Sequence, residues 1–128
     1  MGTRDEIEAS TIRPPRRGEC DQIAGTAGTQ VFAARPSWVG KKVRFHALGD
    51  DFWVQTAPTN AISIDPTAVN TITAGALSAA NTAIAEKIEA GTYKEFDFYG
   101  DDAFVGVRGT GTSGLLMMRP AETALGAS

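Results

Sequence analysis

A chain of 128 residues with a formal charge of −3 and 42% hydrophobic content has the make-up of one soluble domain around a modest core. One cysteine, Cys20, and one histidine, His46, exclude an internal disulfide framework, a Cys-rich zinc site and most multi-His metal or catalytic arrangements. No run approaches about 18 apolar residues and the N-terminal stretch holds no apolar block, which argues against a membrane-spanning helix and a secretory signal.

Residues 1–28 read as an extended arm. MGTRDEIEASTIRPPRRGECDQIAGTAG sustains a period of neither 2 nor 3.6, Pro14 and Pro15 remove two backbone donors and stiffen their neighbours, and Gly25 and Gly28 punctuate its end. A short helical turn fits residues 4–9. From residue 29 the pattern changes to short strands between turn residues, so 29–120 is expected to form the folded domain and 121–128 a tail. TQVFAAR gives a first strand that stops at the Arg35-Pro36 step. In KKVRFHAL, Val43, Phe45 and Ala47 point one way while Arg44 and His46 point the other. Gly49-Asp50-Asp51 then turns the chain into DFWVQTA, and the two segments are predicted to form a hairpin.

AISID, between Pro58 and Pro66, is predicted as a short strand. Over 66–81 a helix from Ala76 to Ala85 competes with a loop carrying one short strand; the loop is expected, because Thr, Asn and Gly disfavour a helix. A strand over 83–88 leads through Glu89-Ala90-Gly91 into TYKEFDFY, where Phe96 and Phe98 share a face with Lys94 and oppose Tyr93, Glu95, Asp97 and Tyr99. Gly100-Asp101-Asp102 turns the chain into AFVGVRG, and LLMMR before Pro120 is the last strand. About eight strands at a spacing of about 8–12 residues predict an all-β protein, an antiparallel β-sandwich or small barrel.

Charge divides the chain. Residues 1–44 carry eight basic and five acidic side chains, a balance of +3, whereas 45–128 carry four and ten, a balance of −6. Neither half has the dense basic field that phosphate-driven binding needs, so no specific nucleic-acid ligand is expected. The asymmetry suits contact between copies or with an oppositely charged partner.

The motifs with possible chemistry are weak ones. Gly109, Gly111 and Gly114 match G-x-G-x-x-G, but no helix and no acidic residue about 20 positions on can follow, so the segment reads as a turn. His46 lies on an alternating strand with no nucleophile elbow around Ser37, Ser63, Ser78 or Ser113. Cys20 stands between Glu19 and Asp21, whose charges oppose a thiolate. Asp50-Asp51 and Asp101-Asp102 fit turn chemistry better than paired acid catalysis or a calcium site. Trp38, Trp53, Tyr93 and Tyr99 are candidates either for the core or for an aromatic platform that stacks on sugars. Arg13, Pro14, Pro15, Arg16 and Arg17 place three guanidinium groups at rigid spacing, suited to carboxylates on a neighbouring protein.

IAEKIEAGTYKEFDFYGDDAFVGVRGTGTSGLLMMRP, residues 84–120, resembles the small β-sandwich virion proteins of tailed bacteriophages. The likeness lies in an Ala90-Gly91 step leading to Phe96, an aromatic strand, a turn, the strand 104–109, a Gly-rich turn and a final apolar strand; it spans roughly residues 40–120. The resemblance implies a non-enzymatic capsid decoration or cement protein, a homotrimer seated across major capsid protein subunits on the virion surface and made in bacterial cytoplasm. It brings no catalytic residues, cofactor or membrane. On that expectation the arm, with Arg13, Arg16 and Arg17 held by Pro14 and Pro15, lies on an acidic shell surface, and Trp38 joins the interface. The segment 66–81 departs from the pattern. A neck or tail connector, a head-completion protein and a carbohydrate-binding module are the alternative expectations.

Overall fold

Strand β3 (Lys42–Leu48) sets the architecture, because its alternation leaves Val43, Phe45 and Ala47 fully buried and turns Arg44, His46 and Leu48 outward. The computed structural model describes residues 18–121. The predicted turn at 4–9, the basic residues Arg13, Arg16 and Arg17 with Pro14 and Pro15, and residues 122–128 lie outside the described residues. The other strands are β1 (Asp21–Ala24), β2 (Gln30–Ala33), β4 (Phe52–Ala57), β5 (Ile72–Thr73), β6 (Ala76–Leu77), β7 (Glu86–Ile88), β8 (Tyr93–Asp97), β9 (Phe104–Gly109) and β10 (Leu115–Pro120), with a 3₁₀ turn at Pro36–Trp38.

Eight of these strands form two antiparallel sheets packed face to face. Sheet I has the order β1-β10-β3-β8 and sheet II the order β2-β9-β4-β7; β5 and β6 make a separate two-stranded ribbon. The fold is the β-sandwich predicted, and the strand order is that of an eight-stranded jelly roll, two Greek keys wound into one sandwich. Between the sheets lie Val43, Phe45, Leu116 and Met118 of sheet I and Phe52, Val54, Ile88, Val105 and Val107 of sheet II, with Trp38 and Phe98 entering from connections. Each such side chain contributes about 1.5–3 kcal/mol by leaving water.

The predicted hairpin of β3 and β4 does not form, nor do β8 and β9 pair across the second aspartate turn. β3 belongs to sheet I and β4 to sheet II, so Gly49-Asp50-Asp51 carries the chain across the sandwich; 98–103 does the same between β8 and β9. Alternation specifies which face of a strand is buried, and both strands of such an arch have one buried face, so the local pattern is that of a hairpin. The partner is fixed by non-local register instead: Phe45 stands opposite Met118 and Lys94, while Phe52 stands opposite Gly109 and Ile88. Gly49 makes the sharp crossing with φ of 85°, and a Cβ there would stand 3.0 Å from the Ser113 carbonyl oxygen.

Two boundaries also differ from expectation. β1 falls within the stretch assigned to the arm, yet it completes sheet I by pairing Asp21 with Met118 and Ile23 with Leu116. AISID forms no ladder. Its Ile62 and Ile64 are nonetheless 8% and 2% exposed, and the chain is held extended by the Ile64 amide donating to Thr29 Oγ1 at 2.9 Å and by Arg108 donating to the Ile64 carbonyl at 2.9 Å. The segment lies over the outer face of sheet II, with Ile62 seated on Gly106 of the central strand β9. Gln55 fixes the return limb by donating to the carbonyls of Thr82 at 2.7 Å and Ile84 at 2.6 Å. The β4–β7 connection is therefore a cover with a ribbon at its tip; no helix forms over 76–85, as predicted, but the segment carries two paired short strands where one was expected.

The aspartate turns carry structure. Asp50 accepts the Ser113 amide at 3.2 Å and Asp51 the Ala90 amide at 2.8 Å, tying three connections together at one end of the sandwich. Asp102 accepts the Tyr99 amide at 2.8 Å and the Thr56 hydroxyl at 3.0 Å at the other end. The Ala90 amide first, and Lys87 at 3.5 Å, hold the Asp51 carboxyl below its ordinary value, and the Thr67 amide does the same for Asp65. A carboxyl depressed in the folded state adds stability above its unfolded pKa, and that stability is lost as pH falls through the ordinary range toward the folded value. Thermal melts are thus expected to show a falling Tm as pH drops below about 4. Asp51→Asn should reduce, without abolishing, that fall, because Asp65 still titrates; an unchanged pH profile would contradict the role of Asp51.

Candidate functional site

Both open edges of the sandwich are clipped by an ion pair. At the β1–β2 edge Arg35 donates to both carboxylate oxygens of Asp21, Nε at 2.6 Å and Nη2 at 2.5 Å, and this pairing raises the Arg35 pKa. At the β7–β8 edge Lys94 Nζ stands 3.0 Å from Glu86. Beneath the first clip the sheets part into a cleft of about 440 Å³, lined by Ile23, Phe32, Ala34, Trp38 and Met118 under the rim formed by Asp21 and Arg35. The volume falls in the range of binding recesses, roughly 300–1,000 Å³, and the wall is chiefly aliphatic and aromatic.

Trp38, expected at an interface, is a core residue. Its ring is 2% exposed and makes edge contacts with Phe98 at 5.2 Å and Phe45 at 6.1 Å between centroids. Pro36 starts the turn that directs it inward, and the Gly40 amide donates to the Phe98 carbonyl at 2.8 Å to close the connection. The other candidate platform aromatics do not converge either. Trp53 lies on the outer face of sheet II opposite Lys87 and Arg108, whereas Tyr93 lies on the outer face of sheet I opposite His46, and Tyr99 follows β8 in a loop.

Sheet I gathers a small polar surface. Arg44 lies over the Tyr93 ring at 3.6 Å and donates to Glu95 from Nε at 3.0 Å and Nη2 at 2.8 Å. Cys20, His46, Met117 and Arg119 join Arg44 around a shallow recess of about 110 Å³. His46 faces Met117 on one side of its strand and Tyr93 on the other. No group of three or more His, Cys, Asp or Glu side chains comes together to hold a metal among the described residues. The Gly109, Gly111 and Gly114 segment is the β9–β10 connection, as its context predicts.

The feature that strand spacing does not announce is the ribbon. β5 and β6 pair Ile72 with Leu77 and Thr73 with Ala76 around Ala74 (φ 51°) and Gly75 (φ 81°), the left-handed pair of a tight hairpin turn. Below the turn the Ser78 amide donates to the Thr71 carbonyl at 2.8 Å, the Thr71 amide to Ser78 Oγ at 2.9 Å and the Asn81 amide to Asn70 Oδ1 at 2.8 Å. Residues 69–82 are all exposed, and Val69, Ile72 and Leu77 are 70%, 71% and 74% exposed. Residues 66–85 contain no Asp, Glu, Lys, Arg or His, although a stretch of that length at the chain's average would carry about four charges.

Comparison of the chain with protein-family models, with curated proteins and with solved structures returned no match.

Proposed function

We propose that this protein is a non-enzymatic structural component of a tailed-bacteriophage virion, a capsid decoration or cement protein that binds across major capsid protein subunits. The observation that carries the reading is the strand order β1-β10-β3-β8 against β2-β9-β4-β7, the jelly roll found among viral capsid domains as well as lectins and cupins. A fold alone does not choose among these. The resemblance of residues 84–120 to small virion proteins supports the virion reading, and an ordered, uncharged apolar ribbon suits a protein whose work is contact.

In such a role the protein adds buried interface between shell subunits and stabilises the lattice that it binds by mass action. Arg13, Arg16 and Arg17, with Pro14 and Pro15 between them in the sequence, are the proposed contacts with an acidic shell. Purified particles are the test. Low-resolution electron cryomicroscopy and quantitative mass spectrometry are expected to place many copies on the outer shell, whereas one ring of copies at the neck or tail would reject decoration. Removal of residues 2–17 leaves β1 in sheet I and is expected to abolish attachment with an unchanged melting profile; full occupancy by the truncated chain would reject the arm as the attachment device.

A further inference from the structure

Two features of one chemistry have no counterpart within the described chain. The ribbon presents Val69, Ile72 and Leu77 to solvent from a segment without charge, and the β1–β2 cleft presents Ile23, Phe32, Ala34 and Met118 beneath a rim whose single ion pair is neutral overall. We propose that the β5–β6 ribbon of one copy of this chain inserts into the β1–β2 cleft of a second copy.

Three observations commit the cleft to a second copy. The ribbon is exposed along its length, so it does not fill the cleft of its own chain. The chain supplies both the protrusion and the recess, whereas a foreign partner would account for only one of them. Copies with a net charge of −3 repel one another least where they meet through neutral surface, and these are two such surfaces. The hydrogen bonds at Thr71, Ser78, Asn70 and Asn81 hold the ribbon in shape before contact, which lowers the ordering cost of binding. Protrusion and recess are different patches, one on the β4–β7 connection and the other at the β1–β2 edge, so the contact is heterologous and each copy can join two others.

This contact deepens the sister-copy part of the virion reading but is measured on the isolated chain, so its failure is separate from failure to bind a capsid. Sedimentation velocity of the full chain is expected to show species larger than a monomer. The double substitution Ile72→Lys with Leu77→Lys disables the ribbon at exposed positions, and Ala34→Arg blocks the cleft. Each variant alone is expected to be a folded monomer by thermal melting and sedimentation, with self-association weakened about 100-fold or more. Equimolar mixing is expected to give a dimer and nothing larger, because one intact ribbon meets one intact cleft. If Ala34→Arg fails to fold, Ala33→Arg at an exposed position of the same lining replaces it. A monomeric wild type, wild-type assembly by either variant, or a mixture that remains monomeric would each overturn the proposal.

Discussion

Trp38→Ala is expected to lower the unfolding free energy by about 3–5 kcal/mol, the range for removing a large buried aromatic side chain. The ring is buried beside Phe45 and Phe98, and Phe45 in turn meets Phe96 at 5.3 Å and Phe98 at 6.1 Å, so one deletion opens an aromatic cluster that joins a connection to both β3 and β8. Trp38 also forms part of the cleft wall, and the cavity left behind would open into that recess rather than collapse. Urea denaturation should show the loss as a lower midpoint. A change under about 1 kcal/mol would mean that the Trp38 ring does not hold this part of the core.

Gly106→Ala is expected to destabilise by about 1–3 kcal/mol through overpacking, unusual for the addition of one methyl group. Gly106 sits in the central strand β9 of sheet II, where Ile62 of the cover occupies the space that a Cβ would need and is branched at its own Cβ, so it has little freedom to withdraw. In a variant that also carries Ile62→Ala the two costs should not add, and the difference measures the contact between cover and sheet. Additivity within experimental error would mean that Ile62 does not rest on Gly106. Because the ribbon springs from this cover, Gly106→Ala should also weaken self-association, while Ala34→Arg should weaken it with little effect on the cover.

The alternation in KKVRFHAL made one buried face legible, and Val43 and Phe45 enter the core as it requires. AFVGVRG grouped Ala103, Val105 and Val107 on one side without saying whether that side faces in, and the unbroken run Leu115 to Met118 has no polar position to mark the face that Leu116 and Met118 take. Phe96 and Phe98 also pack inward, with Tyr93, Glu95 and Asp97 exposed. Pairing was not legible, because Asp and Gly turn equally well between strands of one sheet and between sheets. Nor could periodicity detect β1 among the residues preceding 29, where four residues alternate around Ile23 beside Gly25 and Gly28. Trp38 was ambiguous for a different reason: a tryptophan after Arg35-Pro36 has the same sequence signature whether its turn directs it inward or outward. The ribbon left a trace in the missing charges of 66–85, although only the structure shows its apolar side chains standing in solvent together.

The pairing of β1 with β10 has a consequence for how the protein is made. Asp21 and Met118 are 97 positions apart in the chain and adjacent in sheet I, and β10 is also the strand that joins β1 to β3. A ribosome therefore releases most of this sequence before sheet I can close, and no N-terminal fragment that lacks β10 can shield the inward faces of β1 and β3. Closure of sheet I waits for β10. Assembly through the cleft between β1 and β2 must wait as well, because Met118 of β10 forms part of its wall, so a chain without β10 lacks the recess by which folded copies would recruit it.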